Sequence, residues 1–471
     1  MVMNTLPAPS FGVLLRRARR DAGLTQAELA ARARISVDTI SLLERELTRA
    51  PQHETLALLA EALRLAPAEQ EQWEQVTRGT RLPSIMPEPP GNVSQAFVCP
   101  LPGIKRQLPL PATPLIGRAQ EVQAICALLQ RSEVRLLTVT GSAGVGKTRL
   151  ALQVAADLAG AFADGVLAIC LGVLNDPELV LPTLAQALGL RESGAQPVLA
   201  LLTTALREQQ ILLVLDNFEQ IIAVAPNLAA LLEGCPGVKL LVTSREVLHL
   251  RAEQQFVVSP LALPALPLRA VLQQIDSNAL EENPAVQLFL QRARAVQPDV
   301  HLTPDNAATI AEICHRLEGI PLAIELAAPR LKLLSPAALL ARLEGRLQVL
   351  RGGARDLPER QRTMRATLAW SYELLPPAEQ TLFRRLAVFM GDWTLEAAEQ
   401  VCRGAGMLEL DMLEGLSSLL DKSLVSQERD NSGEARFQML SVLREFGLEQ
   451  LDAEGEGTAT REAHAAYYLG W

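Results

Sequence analysis

Gly141-Ser-Ala-Gly144-Val-Gly146-Lys147-Thr148 decides how the rest of this chain is read. It follows Leu136-Leu-Thr-Val139, a short apolar run with strand character, and leads into Arg149-Leu-Ala-Leu-Gln-Val-Ala-Ala-Asp-Leu158, which has helical periodicity. Strand, glycine-rich turn and helix N-terminus in that order form the phosphate-binding pattern Gly-x-x-x-x-Gly-Lys-Thr. Glycines let backbone N–H groups close on phosphate oxygens, and a helix N-terminus favours negative charge. Lys147 is expected to reach the β- and γ-phosphates of a nucleotide, and the Thr148 hydroxyl to hold Mg²⁺.

Two later runs extend this reading. Ile211-Leu-Leu-Val-Leu-Asp216-Asn217 is a fully apolar strand ending in an acid, where a carboxylate would hold Mg²⁺ through water. Lys239-Leu-Leu-Val-Thr-Ser-Arg245 is a third strand ending in a polar triplet. Strands alternating with helices imply a parallel sheet whose ligand lies at the C-terminal ends of the strands. Alone, an apolar strand ending in Asp is more often a turn signal; the phosphate loop before it gives it weight. The position after Asp216, where many fast ATPases carry a second acid, is Asn217, which cannot take a proton. Glu219 stands two residues further on. Slow or absent turnover is expected, with nucleotide acting as a switch.

Composition narrows the remaining classes. At 471 residues, about three domains are expected. The net charge of −9 rules out a broadly basic nucleic-acid coat, so any DNA contact must come from a local patch. Six scattered cysteines (Cys99, Cys126, Cys170, Cys235, Cys314 and Cys402) form no Cys-x-x-Cys pair and read as buried thiols of a reducing cytosol. No apolar run approaches the ~18 residues of a membrane span, and no signal peptide is expected, which points to a cytoplasmic chain with no membrane partner.

Residues 11–79 read as an all-α domain. Phe11 to Ala22 is an arginine-rich amphipathic helix, and Thr25 with Glu28 forms a capping box at the start of the next. Ser36 begins a third helix with Ile40 and Leu43 facing inward, and helices over 53–65 and 67–78 follow. Between residues 11 and 50, eight arginines face five acids. Short helix, tight turn and second helix is the helix-turn-helix plan. The run Leu24-Thr-Gln-Ala-Glu-Leu-Ala…Ile35-Ser…Thr39-Ile-Ser…Glu44-Arg…Thr48-Arg-Ala-Pro51 resembles the phage-repressor (Cro/C1, XRE) class of these domains. That resemblance implies a DNA-facing segment with Ser36 and Thr39, base reading from Val37, Asp38, Ser41 and Leu42, and phosphate contacts from Gln26, Arg45 and Arg49. A protein-interaction module of the same shape is the alternative. Residues 80–113, with eight prolines between Pro83 and Pro111, read as an extended tether.

From residue 110 to 450 the order of motifs resembles the STAND class of AAA+-related ATPases, close to the NB-ARC switches and the ATPase halves of AfsR-type bacterial regulators. The matching residues are Ile116-Gly-Arg118, the phosphate loop, Leu215-Asp-Asn217, Thr243-Ser-Arg245 and Gly319-Ile-Pro-Leu-Ala-Ile-Glu-Leu-Ala327. The resemblance implies ATP/ADP and Mg²⁺ as ligands. It implies nucleotide contacts from Ile116, Arg118, Gly141, Gly144, Gly146, Lys147, Thr148, Arg149 and Pro321. It further implies Mg²⁺ held by Thr148 and Asp216, and a catalytic set of Lys147, Asp216 and Arg245, the last sensing the γ-phosphate. Where NB-ARC proteins carry Met-His-Asp, this chain has Met439-Leu440-Ser441, so a histidine–ADP contact is not expected.

The expected architecture is multidomain, α and α/β. It comprises a helix-turn-helix domain (11–79), a proline-rich linker (80–113), a parallel-sheet P-loop NTPase domain (114–265), a helical lid (266–355), a winged-helix domain (356–450) and the start of a C-terminal helical region (451–471). In the lid, helices are expected over Pro284–Arg294, Pro304–Leu317 and Pro321–Lys332. In the winged helix, three helices precede a hairpin, and His464 in the last region is expected on a helix surface. The implied function is a DNA-binding transcriptional regulator switched by ATP and ADP, a slow ATP hydrolase at most. It would answer an unidentified effector and self-associate on double-stranded DNA. The alternative is a signalling or defence ATPase whose N-terminal helices bind a protein.

Overall fold

The computed structural model describes residues 15–16, 18–19, 22, 24–33, 40, 59–60 and 62–63 in the N-terminal part. It also describes 113–470 apart from 173, 175, 191–195, 266–276, 351–352, 354–361, 408–409 and 430–432. The chain divides into two compact units, residues 1–97 and 98–471.

In the first unit, helix α1 (Gln26–Ala33) starts where the sequence places a cap. Thr25 Oγ1 accepts from Glu28 N at 3.2 Å, while a Glu28 carboxylate oxygen accepts from Thr25 N at 2.7 Å, the reciprocal capping box. Leu15, Leu24, Leu29, Ala30, Ala33, Ile40, Leu59 and Leu63 form one apolar core. The expected Leu43 lies outside the described residues.

The second unit opens on helix α2 (Ala119–Gln130) and strand β1 (Leu136–Thr140). Helix α3 (Lys147–Asp157), β2 (Val166–Cys170), α4 (Val180–Ala187), α5 (Val198–Leu206), β3 (Leu212–Asp216), α6 (Ala225–Gly234), β4 (Lys239–Thr243) and β5 (Glu253–Val257) follow. The five strands form one sheet in the order β2-β3-β4-β1-β5, and every pairing is parallel. Strands β1 and β3 are buried along their whole length because helices cover both faces, so they read as unbroken apolar runs. Successive side chains still alternate. Leu136, Leu213, Leu215, Leu240 and Val242 pack with α4, α5 and α6, while Leu137, Val139, Leu212, Val214 and Leu241 pack with α2 and α3.

The helical part comprises α7 (Ser277–Glu281), α8 (Pro284–Arg294), α9 (Pro304–Arg316), α10 (Pro321–Ala327), α11 (Pro336–Arg342) and α12 (Arg346–Val349). Asn283 caps α8, and Thr303 with Asn306 forms a capping box on α9, each just before a proline at the first helical position. The helix expected over Pro321–Lys332 breaks instead. Its α-helical part ends at Ala327 and Ala328–Lys332 tightens to a 3₁₀ turn. Pro329 has no N–H to donate and its ring crowds the carbonyl four residues back.

Next come α13 (Met364–Glu373), α14 (Pro377–Leu386), α15 (Leu395–Gly404), α16 (Met412–Asp421), the hairpin β6 (Ser426–Arg429) and β7 (Ala435–Gln438), α17 (Ser441–Ala453) and α18 (Gly457–Leu469). The hairpin is antiparallel, with Ser426 opposite Gln438. One apolar cluster runs through this whole stretch and includes Ala143 of the phosphate loop. His464 lies on α18, partly exposed. It lies half-buried against Phe389 and Tyr468, with ring centroids 5.2 and 4.8 Å away. Of the described cysteines, all free, Cys235, Cys314 and Cys402 are buried as expected, whereas Cys170 is exposed at the end of β2. None of the described helices is long and apolar enough to cross a membrane.

Candidate functional site

The sheet order sets the C-terminal ends of β3, β4 and β1 side by side, and each ends in polar residues. β1 runs into the phosphate loop, β3 ends at Asp216, and β4 ends at Thr243 with Ser244 and Arg245 behind it. Asp216 Oδ1 accepts two hydroxyls, Thr148 Oγ1 at 2.7 Å and Thr243 Oγ1 at 2.6 Å. Burial raises the Asp216 carboxyl above the usual carboxylate range despite these two bonds, and the nearby charge of Glu219 adds to the effect.

Lys147 sits at the head of α3. Its Nζ donates to Gly141 O at 2.7 Å and to Ser142 O at 3.2 Å, so the ammonium spans the two ends of its own loop. Burial pushes its pKa down to about 8; Glu219 opposes that shift, Arg245 assists it and Asp216 opposes it more weakly. Gly146 adopts a left-handed conformation, and its carbonyl accepts the first helical bond of α3, from Leu150 N at 3.0 Å.

Gly144 connects the loop to the lid. Its φ is +78° and a Cβ there would fall 2.8 Å from Leu322 Cβ, so a side chain is excluded on both counts. Leu322 N donates to Gly144 O at 3.1 Å. Pro321 is the first residue of the helix that presses on the loop.

Arg118 is buried. Its guanidinium donates to Ser259 O at 2.7 Å and Val145 O at 3.3 Å and pairs with Glu121 at 2.6 Å, bracing the loop from outside. Ile116 packs, partly buried, against the lid core. Arg149 points away from the loop. It pairs with Glu325 of α10 at 3.2 Å and donates to Thr113 O at 2.8 Å and Pro114 O at 3.0 Å, stapling the domain entrance to the lid. Arg292 meets the same Glu325 oxygen at 2.7 Å.

Arg245 is held from two sides. Its Nε lies 3.3 Å from Glu219 Oε1, and its guanidinium carbon lies 4.1 Å from the centre of the Trp370 ring, from α13. Its carbonyl accepts from Ser423 Oγ at 3.2 Å. A cation over an indole face is attracted to the ring quadrupole, by up to ~2 kcal/mol where water is excluded.

Lys147, Thr148, Asp216 and Arg245 are therefore gathered with the loop glycines, whereas Ile116, Arg118, Arg149 and Pro321 form its frame. Glu219, Thr243 and Trp370 also belong to the cluster; Glu219 was noted from sequence only as the acid beyond Asn217, and Trp370 was not singled out. Thr243 was legible as a hydroxyl at a strand end; nothing in the sequence pairs Trp370 with Arg245. Of the expected DNA-facing residues, Gln26 is the first residue of α1, partly buried. Ser36, Val37, Asp38, Thr39, Ser41, Leu42, Arg45 and Arg49 lie outside the described residues.

Family models agree with this layout. A helix-turn-helix model matches residues 15–70, an AAA domain model 130–249, and a winged helix-turn-helix model 375–452. An uncharacterized protein of Mycobacterium tuberculosis is 36% identical over 351 residues, which cover 74% of this chain and 84% of that protein. A Mycobacterium bovis protein named as an HTH-type transcriptional regulator is 36% identical over 335 residues, 71% of this chain and 36% of its own length.

The chain belongs to one family with that uncharacterized Mycobacterium tuberculosis protein, and it carries a helix-turn-helix, an AAA domain and a winged helix-turn-helix. The regulatory protein AfsR of Streptomyces griseus is 30% identical over 377 residues, 76% of this chain and 34% of AfsR. The chain thus spans about a third of the length of these named regulators. The AAA domain match, which includes the loop, implies nucleotide binding. In this chain the C-terminal end of α16 lies against the ATPase domain. Asp421 at the end of α16 lies 3.4 Å from His249, and Ser423 just beyond bonds to Arg245.

Proposed function

We propose that this chain is a DNA-binding transcriptional regulator switched by ATP and ADP, with hydrolysis slow. The observation that carries the reading is the position of Arg245. The residue at the end of β4 that would sense a γ-phosphate is instead held by Glu219 and covered by Trp370. A γ-phosphate would compete for this guanidinium, and moving it would strip Trp370 of its cation. Nucleotide state would thereby reach the winged-helix side. A ligand shifts such an equilibrium only by its differential affinity for the two arrangements, and the γ-phosphate supplies that difference.

Thr148 Oγ1 and Asp216 Oδ1, 2.7 Å apart, suit Mg²⁺. Both are hard oxygen donors, the hydroxyl suited to hold the ion directly and the carboxylate to hold it through water. Bound there, the ion would neutralise phosphate charge. Lys147 would exchange its loop carbonyls for phosphate oxygens, and the loop N–H groups would cradle them. Asn217 is no proton acceptor: its φ is +64° and its N–H donates to Thr243 Oγ1 at 3.0 Å. That fits a site that holds nucleotide longer than it consumes it.

In this reading ADP favours the compact arrangement, while ATP with an activating signal frees it for association of copies on double-stranded DNA through the N-terminal helices. The test is to release and identify nucleotide from freshly purified protein, then measure DNA binding of the ATP- and ADP-loaded forms against salt. DNA binding through phosphate contacts weakens linearly in log–log with salt. Equal DNA affinity and equal hydrodynamic size in both nucleotides would sink the switch. Salt-insensitive capture of a protein in place of DNA would favour the signalling alternative.

A further inference from the structure

We propose that Glu219 is the carboxylate that deprotonates the attacking water when a nucleoside triphosphate is cleaved at this site, and that its ion pair with Arg245 restrains it until Arg245 leaves. The proposal rests on the nucleotide reading above and names the base which that reading lacks.

The chain reverses sharply after β3. Asn217 is left-handed and anchored by its N–H to Thr243, so the 3₁₀ turn Phe218–Gln220 returns Glu219 to the strand ends. Its side chain is 4% exposed. Three acids of the described residues are buried this deeply, and they differ in how they are satisfied. Glu379 is met by Lys422 at 2.6 Å and Ser418 at 2.8 Å, one on each oxygen. Asp216 takes two hydroxyls on Oδ1. Glu219 Oε1 is met by Arg245 and by Asn217 Nδ2 at 3.4 Å, but Oε2 is buried with no hydrogen bond among the described residues. A buried carboxylate oxygen without a donor is costly and calls for an explanation.

The surroundings supply one. Glu219 pairs with Arg245 at the end of β4 and its charge opposes the burial shift of Lys147, so it faces the phosphate loop side of the turn. Asp216 is committed to Thr148 and Thr243, and Asn217 has no basic oxygen to offer. Glu219 Oε2 is the remaining acceptor. A water donating to it could attack the γ-phosphorus. An oxygen–phosphorus bond forms as the bond from the γ-phosphorus to the β–γ bridging oxygen breaks, and the bond pair leaves on the diphosphate. The water proton passes to Oε2 and from there to the released inorganic phosphate. While Arg245 holds Oε1, the carboxylate is fixed in position and its negative charge is offset, which weakens it as a base. Once Arg245 turns to a γ-phosphate, both restraints end.

The experiment compares full-length wild type, Glu219→Gln and Asn217→Asp in single-turnover cleavage of ATP. Equilibrium binding of a fluorescent ATP analogue and the identity of co-purified nucleotide are measured alongside. Expected for Glu219→Gln is a loss of cleavage of about 10²–10⁴-fold, the usual contribution of a general base. ATP should bind it at least as tightly as wild type, and ATP rather than ADP should co-purify. Preserved ATP binding certifies the fold. Cleavage by Glu219→Gln at the wild-type rate overturns the proposal, as does a wild type that leaves ATP intact. A rescue of Glu219→Gln by adding Asn217→Asp would show the adjacent position to be competent and Glu219 to have stood in its place, as expected. Failure of wild type to bind either nucleotide would overturn the nucleotide reading itself.

Discussion

Ser441 and Glu318 join the winged helix to the lid: Ser441 N and Oγ both donate to the Glu318 carboxylate, at 2.8 Å. Glu318 is left-handed, φ +53°, immediately before Gly319-Ile-Pro321, and Ser441 opens α17. Its carboxylate therefore caps the first turn of α17, where the free N–H groups and the helix dipole favour a negative charge. This contact occupies the position where related switches carry Met-His-Asp. Glu318→Ala is expected to cost about 1.5–3 kcal/mol, the range for a charged hydrogen bond, and to speed nucleotide release. Thermal melting and displacement of a fluorescent nucleotide read the two effects; an unchanged off-rate would leave Glu318 a cap and nothing more.

Lys147→Ala removes the cation that bridges Gly141 and Ser142. Nucleotide affinity should fall by roughly 10- to 150-fold, the equivalent of one charge-assisted contact. Titration calorimetry with ATP and ADP checks this, and affinity within threefold of wild type would contradict it.

Asp216→Asn keeps the shape and loses the charge. Nucleotide should still bind, but chelating Mg²⁺ should no longer change its dissociation rate, because a neutral amide is a poor ligand for that ion. A variant as sensitive to chelation as wild type would place the ion elsewhere.

Trp370→Ala uncovers Arg245. The expected loss is about 1–2 kcal/mol of stability from the cation–π contact and lost packing. Most of it should vanish when Arg245 is already alanine. A double-mutant cycle with coupling below about 0.3 kcal/mol would make the contact incidental.

His464 offers a pH test. Burial against Phe389 and Tyr468 lowers its pKa below the usual histidine value, and the neighbouring Arg444 lowers it further. Above that usual value, about 6.5, folded and unfolded chains both carry it neutral. As pH falls below 6.5 the unfolded chain binds a proton that the folded chain resists, so stability declines toward the lower folded value. The melting-temperature advantage of wild type over His464→Asn should shrink between pH 7.5 and 5.5. A constant difference would remove His464 from the pH response.

The sequence was most legible where backbone chemistry dictates residue type. Glycines at 141, 144 and 146, the apolar runs ending at Asp216 and Thr243, and the Thr25–Glu28 box each have few alternative explanations. Strand β5, Glu253-Gln-Gln-Phe-Val257, was not anticipated because an edge strand can be polar. Helix α16 was missed for a related reason: its apolar residues serve a core assembled from several distant segments. Arg149 was counted with the nucleotide contacts from its place beside Thr148, but its guanidinium is taken by Glu325, 176 positions away. Trp370 was missed, and the partner of Glu219 was not foreseen, because both depend on contacts across the fold, which local pattern does not encode.

The bond from Leu322 N to Gly144 O has a kinetic meaning. It ties the carbonyl of a phosphate-loop residue to the first turn of a lid helix, with Ala143 built into the lid's own apolar core. Opening this seam would expose apolar surface as well as break a backbone bond, a cost that would fall on release of a ligand held in the loop. Residence time should then depend on the lid as well as on how well the phosphates are gripped. The packing of Leu322 on Gly144 would then help to time how long the loop keeps its ligand.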